Sequence, residues 1–214
     1  MAATNLFDAI FQPERSSRVA VLYEEREITY EELRDLTVQA AETLRALAID
    51  RGDRVGILLN DSPEFVASFV AIISLGAIAV PVNMALSKEE QRLIVKDCGA
   101  IAAVVEGKVV NELFRDGGQS ANLESLIIVR GDLPGIDGIA TTDMQSAWSE
   151  LGDFPVTIRQ GEAAFILYTS GSTGEPKGAV HSQSDIFYTN ETFCQEVLRL
   201  REGDRLFSSS RLPF

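Results

Sequence analysis

Residues Ala163–Gly178 read AAFILYTSGSTGEPKG. The first half is a short apolar run, the pattern of a strand covered on both faces. The second half sets Gly171, Gly174 and Gly178 among the hydroxyls of Thr169, Ser170, Ser172 and Thr173, around the single ammonium of Lys177. Lys177 is the only lysine or arginine between Arg159 and Arg199. A buried strand that runs into such a loop belongs to an open α/β sheet, where ligands sit beyond the carboxyl ends of the strands.

The flanking sequence keeps the same rhythm. Arg18–Tyr23 and Glu27–Thr29 predict a short hairpin. Thr29-Tyr-Glu-Glu32 is a capping-box pattern, and the helix it opens carries Leu33, Leu36, Ala40, Leu44 and Leu47 on one face. Arg54–Asn60 predicts a buried strand. Ser62-Pro63 follows as a cap and first-turn proline, opening a helix to Leu75 that stops at Gly76. Ile78–Asn83 predicts the next strand. Ser87-Lys-Glu-Glu90 is a second capping box, for a helix to about Asp97. Strands are expected at Ile101–Val105 and Leu126–Val129, and a short helix at Lys108–Phe114. Gly131–Gly138 is rich in turn residues. Thr142–Glu150 is expected to be helical with Trp148 in the core, Ser184–Leu200 helical, and Arg205–Ser209 a last strand. Alternating strands and helices predict an α/β fold with a largely parallel sheet flanked by helices.

Composition bounds the function. The 214 residues carry a net charge of −13, which argues against a nucleic-acid partner and weakly against docking on anionic membranes. Cys98 and Cys194 stand far apart and His181 is the only histidine, so a Cys/His metal cluster is not expected and the thiols read as reduced. The N-terminus lacks the basic start and apolar core of a secretory signal. Phe65–Val82 is as long as a short membrane span, but Gly76 and Pro81 divide it into a buried helix and a strand, so no membrane span is expected.

The loop has the chemistry of a polyphosphate cradle. Glycines bring backbone amides close to a ligand, consecutive N–H groups form an anion-binding nest, and Lys177 adds charge. It is not a Walker loop, because Pro176 and Gly178 flank the lysine where that pattern needs glycine and a hydroxyl residue. No serine has the flanks of a nucleophile elbow. His181 has no evident carboxylate partner and reads as structural, or else as a contact lining the site. On these residues alone, a nucleotide- or polyphosphate-binding module without catalysis stands as the alternative to an enzyme.

YTSGSTGEPKG (Tyr168–Gly178) resembles the phosphate-loop signature of the adenylate-forming superfamily, which includes acyl-CoA synthetases, peptide-synthetase adenylation domains and luciferases. ITYEEL (Ile28–Leu33) and LGAIAVPVN (Leu75–Asn83) resemble two further family motifs, so the likeness runs along nearly the whole chain. It implies the N-terminal part of the large domain of such an enzyme. The implied reaction joins a carboxylate and ATP into an acyl-adenylate and pyrophosphate, with coenzyme A then taking the acyl group. Thr169, Ser170, Gly171, Ser172, Thr173, Gly174 and Lys177 match the loop that holds the ATP phosphates, a task normally shared with Mg2+. Lys177 matches a phosphate contact and not the lysine that drives adenylation. Family members are usually more than twice this length. Residues 1–214 are therefore expected to form a partial adenylation domain that lacks the small C-terminal domain and its catalytic lysine, and to be inactive alone. Lys177–Ser182 and Arg201–Phe214 resemble benzoate and cyclic-carboxylate CoA ligases, which often carry a second histidine where this chain has Gln183. The implied substrate is an aromatic or cyclic acid, with a fatty acid next, and the implied location is cytoplasmic.

Overall fold

Seven strands form one sheet in the order β7-β6-β5-β3-β4-β8-β9. The structure is a computed structural model that describes residues 5–114, 122–144, 161–170 and 176–212. The strands are β3 (Arg54–Leu58), β4 (Ile78–Pro81), β5 (Ala102–Val105), β6 (Ser125–Ile128), β7 (Ala140–Asp143), β8 (Ala163–Ser170) and β9 (Pro176–Ser182). All neighbours run parallel except the β8–β9 pair. A separate antiparallel hairpin, β1 (Val19–Tyr23) and β2 (Arg26–Thr29), precedes the sheet.

The strand pleat sends alternate residues to opposite faces, and both faces are covered. On one face Val55, Ile57, Ala79, Ala102, Val104 and Ile127 meet α1 (Leu6–Ile10), α2 (Tyr30–Ala46) and α3 (Pro63–Ser74). On the other, Leu58, Val80, Ala103, Val105, Leu126 and Ile128 meet α4 (Lys88–Asp97) and α5 (Gly107–Phe114). This double burial accounts for the uninterrupted apolar strands in the sequence.

The helix starts are set by local chemistry. Thr29 and Glu32 close the capping box of α2, and Ser87 and Glu90 that of α4. The buried Ser62 side chain accepts from the Phe65 N–H at 3.2 Å, with Pro63 in the first turn of α3. Gly76, at φ 79°, turns the chain from α3 toward β4. Phe65–Val82 is thus divided between a helix and a strand. Among the described residues no helix is long and apolar enough to cross a membrane.

Three sequence expectations are corrected. Thr142 and Asp143 lie in β7, with Thr142 opposite Ile127, and not in a helix; the rest of that expected helix, Trp148 included, lies outside the described residues. The sheet is largely parallel as expected, with β9 alone pairing antiparallel, along β8 at one edge. Arg205–Ser209 has no strand partner among the described residues and is irregular, with Phe207 95% exposed. The last helix is in two parts, α6 (Gln183–Thr189) and a π-helical stretch, Asn190–Val197. There the Thr192 hydroxyl donates to the Tyr188 carbonyl at 2.8 Å, competing with the backbone ladder.

Candidate functional site

The β8–β9 hairpin carries the quoted motif. Its pairing runs Leu167 with Ala179, Tyr168 with Gly178, Thr169 with Lys177 and Ser170 with Pro176. Of the residues read as phosphate contacts, Thr169, Ser170 and Lys177 are therefore brought together at the hairpin's end. Gly171, Ser172, Thr173 and Gly174 lie outside the described residues. The hairpin ends where β8 finishes, at the carboxyl edge of the parallel strands, as expected for a ligand loop.

Directly opposed residues in an antiparallel pair share a face. Thr169 and Lys177 thus lie on the same face as Phe165 and His181, while Tyr168 and Gly178 lie on the other. Both Thr169 and Lys177 are exposed, and Lys177 makes no ion pair among the described residues. An exposed cation at the end of a hairpin, without an ion pair among the described residues, is available to an anion. About 13 Å of strand separates Lys177 from His181, at ~3.3 Å per residue.

His181 is held on both sides. Its ring stacks on Phe165 with centroids 4.7 Å apart and planes 8° from parallel. Its Nδ1 lies 3.5 Å from the Asp185 carboxylate, one helical turn on. The sequence reading missed this partner, which becomes visible only once α6 is known to start at Gln183. Asp185 also accepts from the Ser182 N–H at 2.9 Å and the Ser182 hydroxyl at 3.0 Å. These bonds, the backbone one foremost, hold its carboxyl below the usual range, with His181 adding to the effect.

Gly178 is needed for close approach and not for a left-handed turn. A Cβ there would come within 2.9 Å of Ile166 Cγ2 and 3.1 Å of Tyr168 Cζ. The Tyr168 hydroxyl reaches on to donate to Asp97, the last residue of α4, at 2.5 Å. Gln183, where a second histidine was in question, is 3% exposed, and its Oε1 accepts from the Leu6 N–H at 3.1 Å. That position is an internal anchor for the N-terminal helix.

A second polar cluster at the carboxyl edge escaped the sequence reading. Arg130, just past β6, lies between Glu106 (3.1 Å) and Glu64 (3.9 Å), and Lys108 pairs with Glu106 at 2.5 Å. Burial works against the Arg130 charge, but Glu64, the Tyr23 hydroxyl and Glu106 raise its pKa on balance. Two cations face two carboxylates, so the cluster is compensated and ties loops together. Its only sequence signal is charge directly after apolar strands. Further along the same edge, Arg211 donates to Asn60 Oδ1 at 3.1 Å and the Leu212 N–H to Asp61 at 3.0 Å.

Comparison with known proteins adds four likenesses. The family model for AMP-binding enzymes matches residues 11–214. A benzoate–CoA ligase of Thauera aromatica is 30% identical over 214 residues, covering 100% of this chain and 40% of that protein. A long-chain-fatty-acid–CoA ligase of Mycobacterium tuberculosis is 32% identical over 183 residues, 84% of this chain and 34% of that protein. Among solved structures, an anthranilate CoA ligase in complex with anthranoyl-AMP aligns with a TM-score of 0.85 and 28% identity over 100% of this chain and 41% of its own. The chain thus spans about two fifths of the length of the curated relatives it matches.

Proposed function

The chain belongs to the AMP-binding enzyme family, and from that premise we propose that it is the phosphate-binding portion of an ATP-dependent carboxylic acid–CoA ligase. The observation that carries the proposal is the hairpin itself: Thr169 paired with Lys177, both exposed, and Lys177 without an ion pair among the described residues, beyond the strand ends of a parallel sheet. Thr169, Ser170, Gly171, Ser172, Thr173, Gly174 and Lys177 would hold the β- and γ-phosphates of ATP. A carboxylate oxygen attacks the α-phosphorus, the bond to the bridging oxygen breaks, and pyrophosphate leaves. Donors aimed at that departing charge lower the barrier. The thiol of coenzyme A then attacks the acyl carbon and AMP departs. Magnesium, when bound, screens the phosphate charge, and such sites bind it largely through the phosphate oxygens. Lys177 and the Thr169 hydroxyl would meet the phosphate oxygens left to the protein.

The acid is proposed to be aromatic or cyclic, with a fatty acid next, on the strength of the benzoate and long-chain relatives. His181 shares the face of Lys177 and would line the acid's approach. Residues 1–214 are proposed to form part of a large adenylation domain, inactive without a small C-terminal domain, in the cytoplasm.

Carboxylate-dependent ATP–pyrophosphate exchange tests this, with the 214-residue chain run beside a longer reading frame on benzoate, cyclohexanecarboxylate and a fatty-acid series. Exchange in the longer protein alone is expected. Exchange in neither, with equal binding of ATP and pyrophosphate, would replace the ligase by a polyphosphate-binding module without catalysis.

A further inference from the structure

The phosphate hairpin is weakly stitched to the sheet it extends. The N–H groups of Ile78 and Val82 both donate toward β3, to Asp53 at 2.7 Å and Ile57 at 3.0 Å. In a strand, alternate N–H groups point to opposite sides, so the position of Pro81 faces β8. Proline has no N–H to give there, and the β4–β8 ladder reduces to one registered pair, Ala79 with Phe165. Side chains must therefore supply much of the hairpin's placement.

On the face opposite Lys177, one contact stands directly beneath the loop. Tyr168 and Gly178 form the rung next to Thr169 and Lys177. The Tyr168 ring lies on Gly178, and its hydroxyl donates to Asp97. The ring borders an open hollow of about 530 Å³, also lined by Arg54, Asn122 and Ile166. The ring packs against the core on that side, and the hydrogen bond to Asp97 ties its hydroxyl end to the end of α4. Burial raises the phenol's pKa and the Asp97 bond raises it further, so the hydroxyl stays a donor.

We propose that Asp97 and Tyr168 form a clamp between the end of α4 and the phosphate hairpin, and that this clamp sets the loop's affinity for polyphosphate. Tyr168 is a positioning residue and touches no phosphate; it fixes the rung from which Thr169 and Lys177 project. The clamp rests on the reading of the loop as a phosphate site.

The test uses the 214-residue chain with Tyr168→Phe, Asp97→Ala, the double variant and Asp97→Asn, which keeps an acceptor. Pyrophosphate binding is measured by calorimetry, and backbone amide exchange is followed at Thr169 and Lys177 and across β3, β5 and β6. Tyr168→Phe and Asp97→Ala are each expected to weaken pyrophosphate about tenfold, ~1.4 kcal/mol. The double variant should be no weaker than either, because both remove one bond, and Asp97→Asn should recover most of the loss. Exchange should quicken at the hairpin and stay constant in the central strands. Losses that add, unchanged affinity and exchange, or quickened exchange throughout the sheet would each overturn the clamp. If the unaltered chain binds no pyrophosphate, the phosphate reading falls by itself, and the exchange comparison alone judges the clamp.

Discussion

The N–H of Leu6 donates to the carboxamide of Gln183 at 3.1 Å, joining the first helix to the start of α6 across most of the chain. Asn5 reinforces the junction, its Oδ1 capping α1 at the Phe7 N–H and its Nδ2 donating to the Ser74 carbonyl at 3.1 Å. Gln183→Ala leaves the Leu6 N–H buried and unpaired, at a cost of about 1–3 kcal/mol. The urea midpoint should fall with no change in slope. An unmoved midpoint would mean that α1 docks by its apolar residues alone.

Gly107 follows β5 at a point of backbone contact. A Cβ there would lie 2.5 Å from the Asp132 carbonyl oxygen and 3.1 Å from that of Arg130. Gly107→Ala should therefore destabilise the fold by about 1–3 kcal/mol, the usual cost of overpacking. Gly135→Ala, with nothing within 4 Å, is the matched control and should stay within about 0.5 kcal/mol. Thermal melts of the two variants decide it.

Acid should loosen the helix starts. The Thr29 N–H holds Glu32 below its ordinary pKa, and the Ser87 hydroxyl does the same for Glu90. A carboxyl depressed in the folded state contributes stability above its unfolded pKa and loses it as pH falls through the folded value. Stability should therefore decline as pH drops below the usual carboxylate range. A Glu32→Gln/Glu90→Gln variant, which caps without titrating, should decline less steeply in urea titrations across that range. Parallel declines would refute the assignment.

The two thiols should react unequally. Cys98 is buried, and burial pushes its pKa up to about 11. Cys194 is partly exposed on the π-helical stretch. Iodoacetamide at mildly alkaline pH should label Cys194 in the native protein and Cys98 only after unfolding. Mass spectrometry of the labelled peptides reads the order directly.

Lys177→Ala should weaken pyrophosphate binding at least about tenfold, since a full charge leaves an exposed anion site. Stability should move by no more than about 0.5 kcal/mol, as for other surface changes. Calorimetry and a thermal melt on the same sample separate the two effects. Equal affinity in the variant would move the phosphates elsewhere.

Features written locally were legible in the sequence. Thr29 with Glu32 and Ser87 with Glu90 announce two helices because each cap needs only four consecutive residues. The central strands announce themselves as apolar runs because helices cover both faces. The edge strands did not. ATTD in β7 and PKGAVHS in β9 carry weak strand preferences of their own and exist because β6 and β8 lie beside them. The loop proposed to hold phosphate, Thr169 to Lys177, stood out in the sequence, but the contacts that support its hairpin did not. Tyr168 with Asp97, Gln183 with Leu6, and Arg130 with Glu64 and Glu106 join residues that only the folded chain brings together.

Pro81 has a further consequence during synthesis. Chains emerge from the ribosome N-terminus first and begin to fold as they appear. β3, β4, β5 and β6 can assemble while β8 is still unmade, leaving one side of β4 open to any passing strand. An open strand edge is a template for aggregation. Proline on that side withholds a donor from an intruder as surely as from β8, so the nascent sheet carries its own gatekeeper until the hairpin arrives.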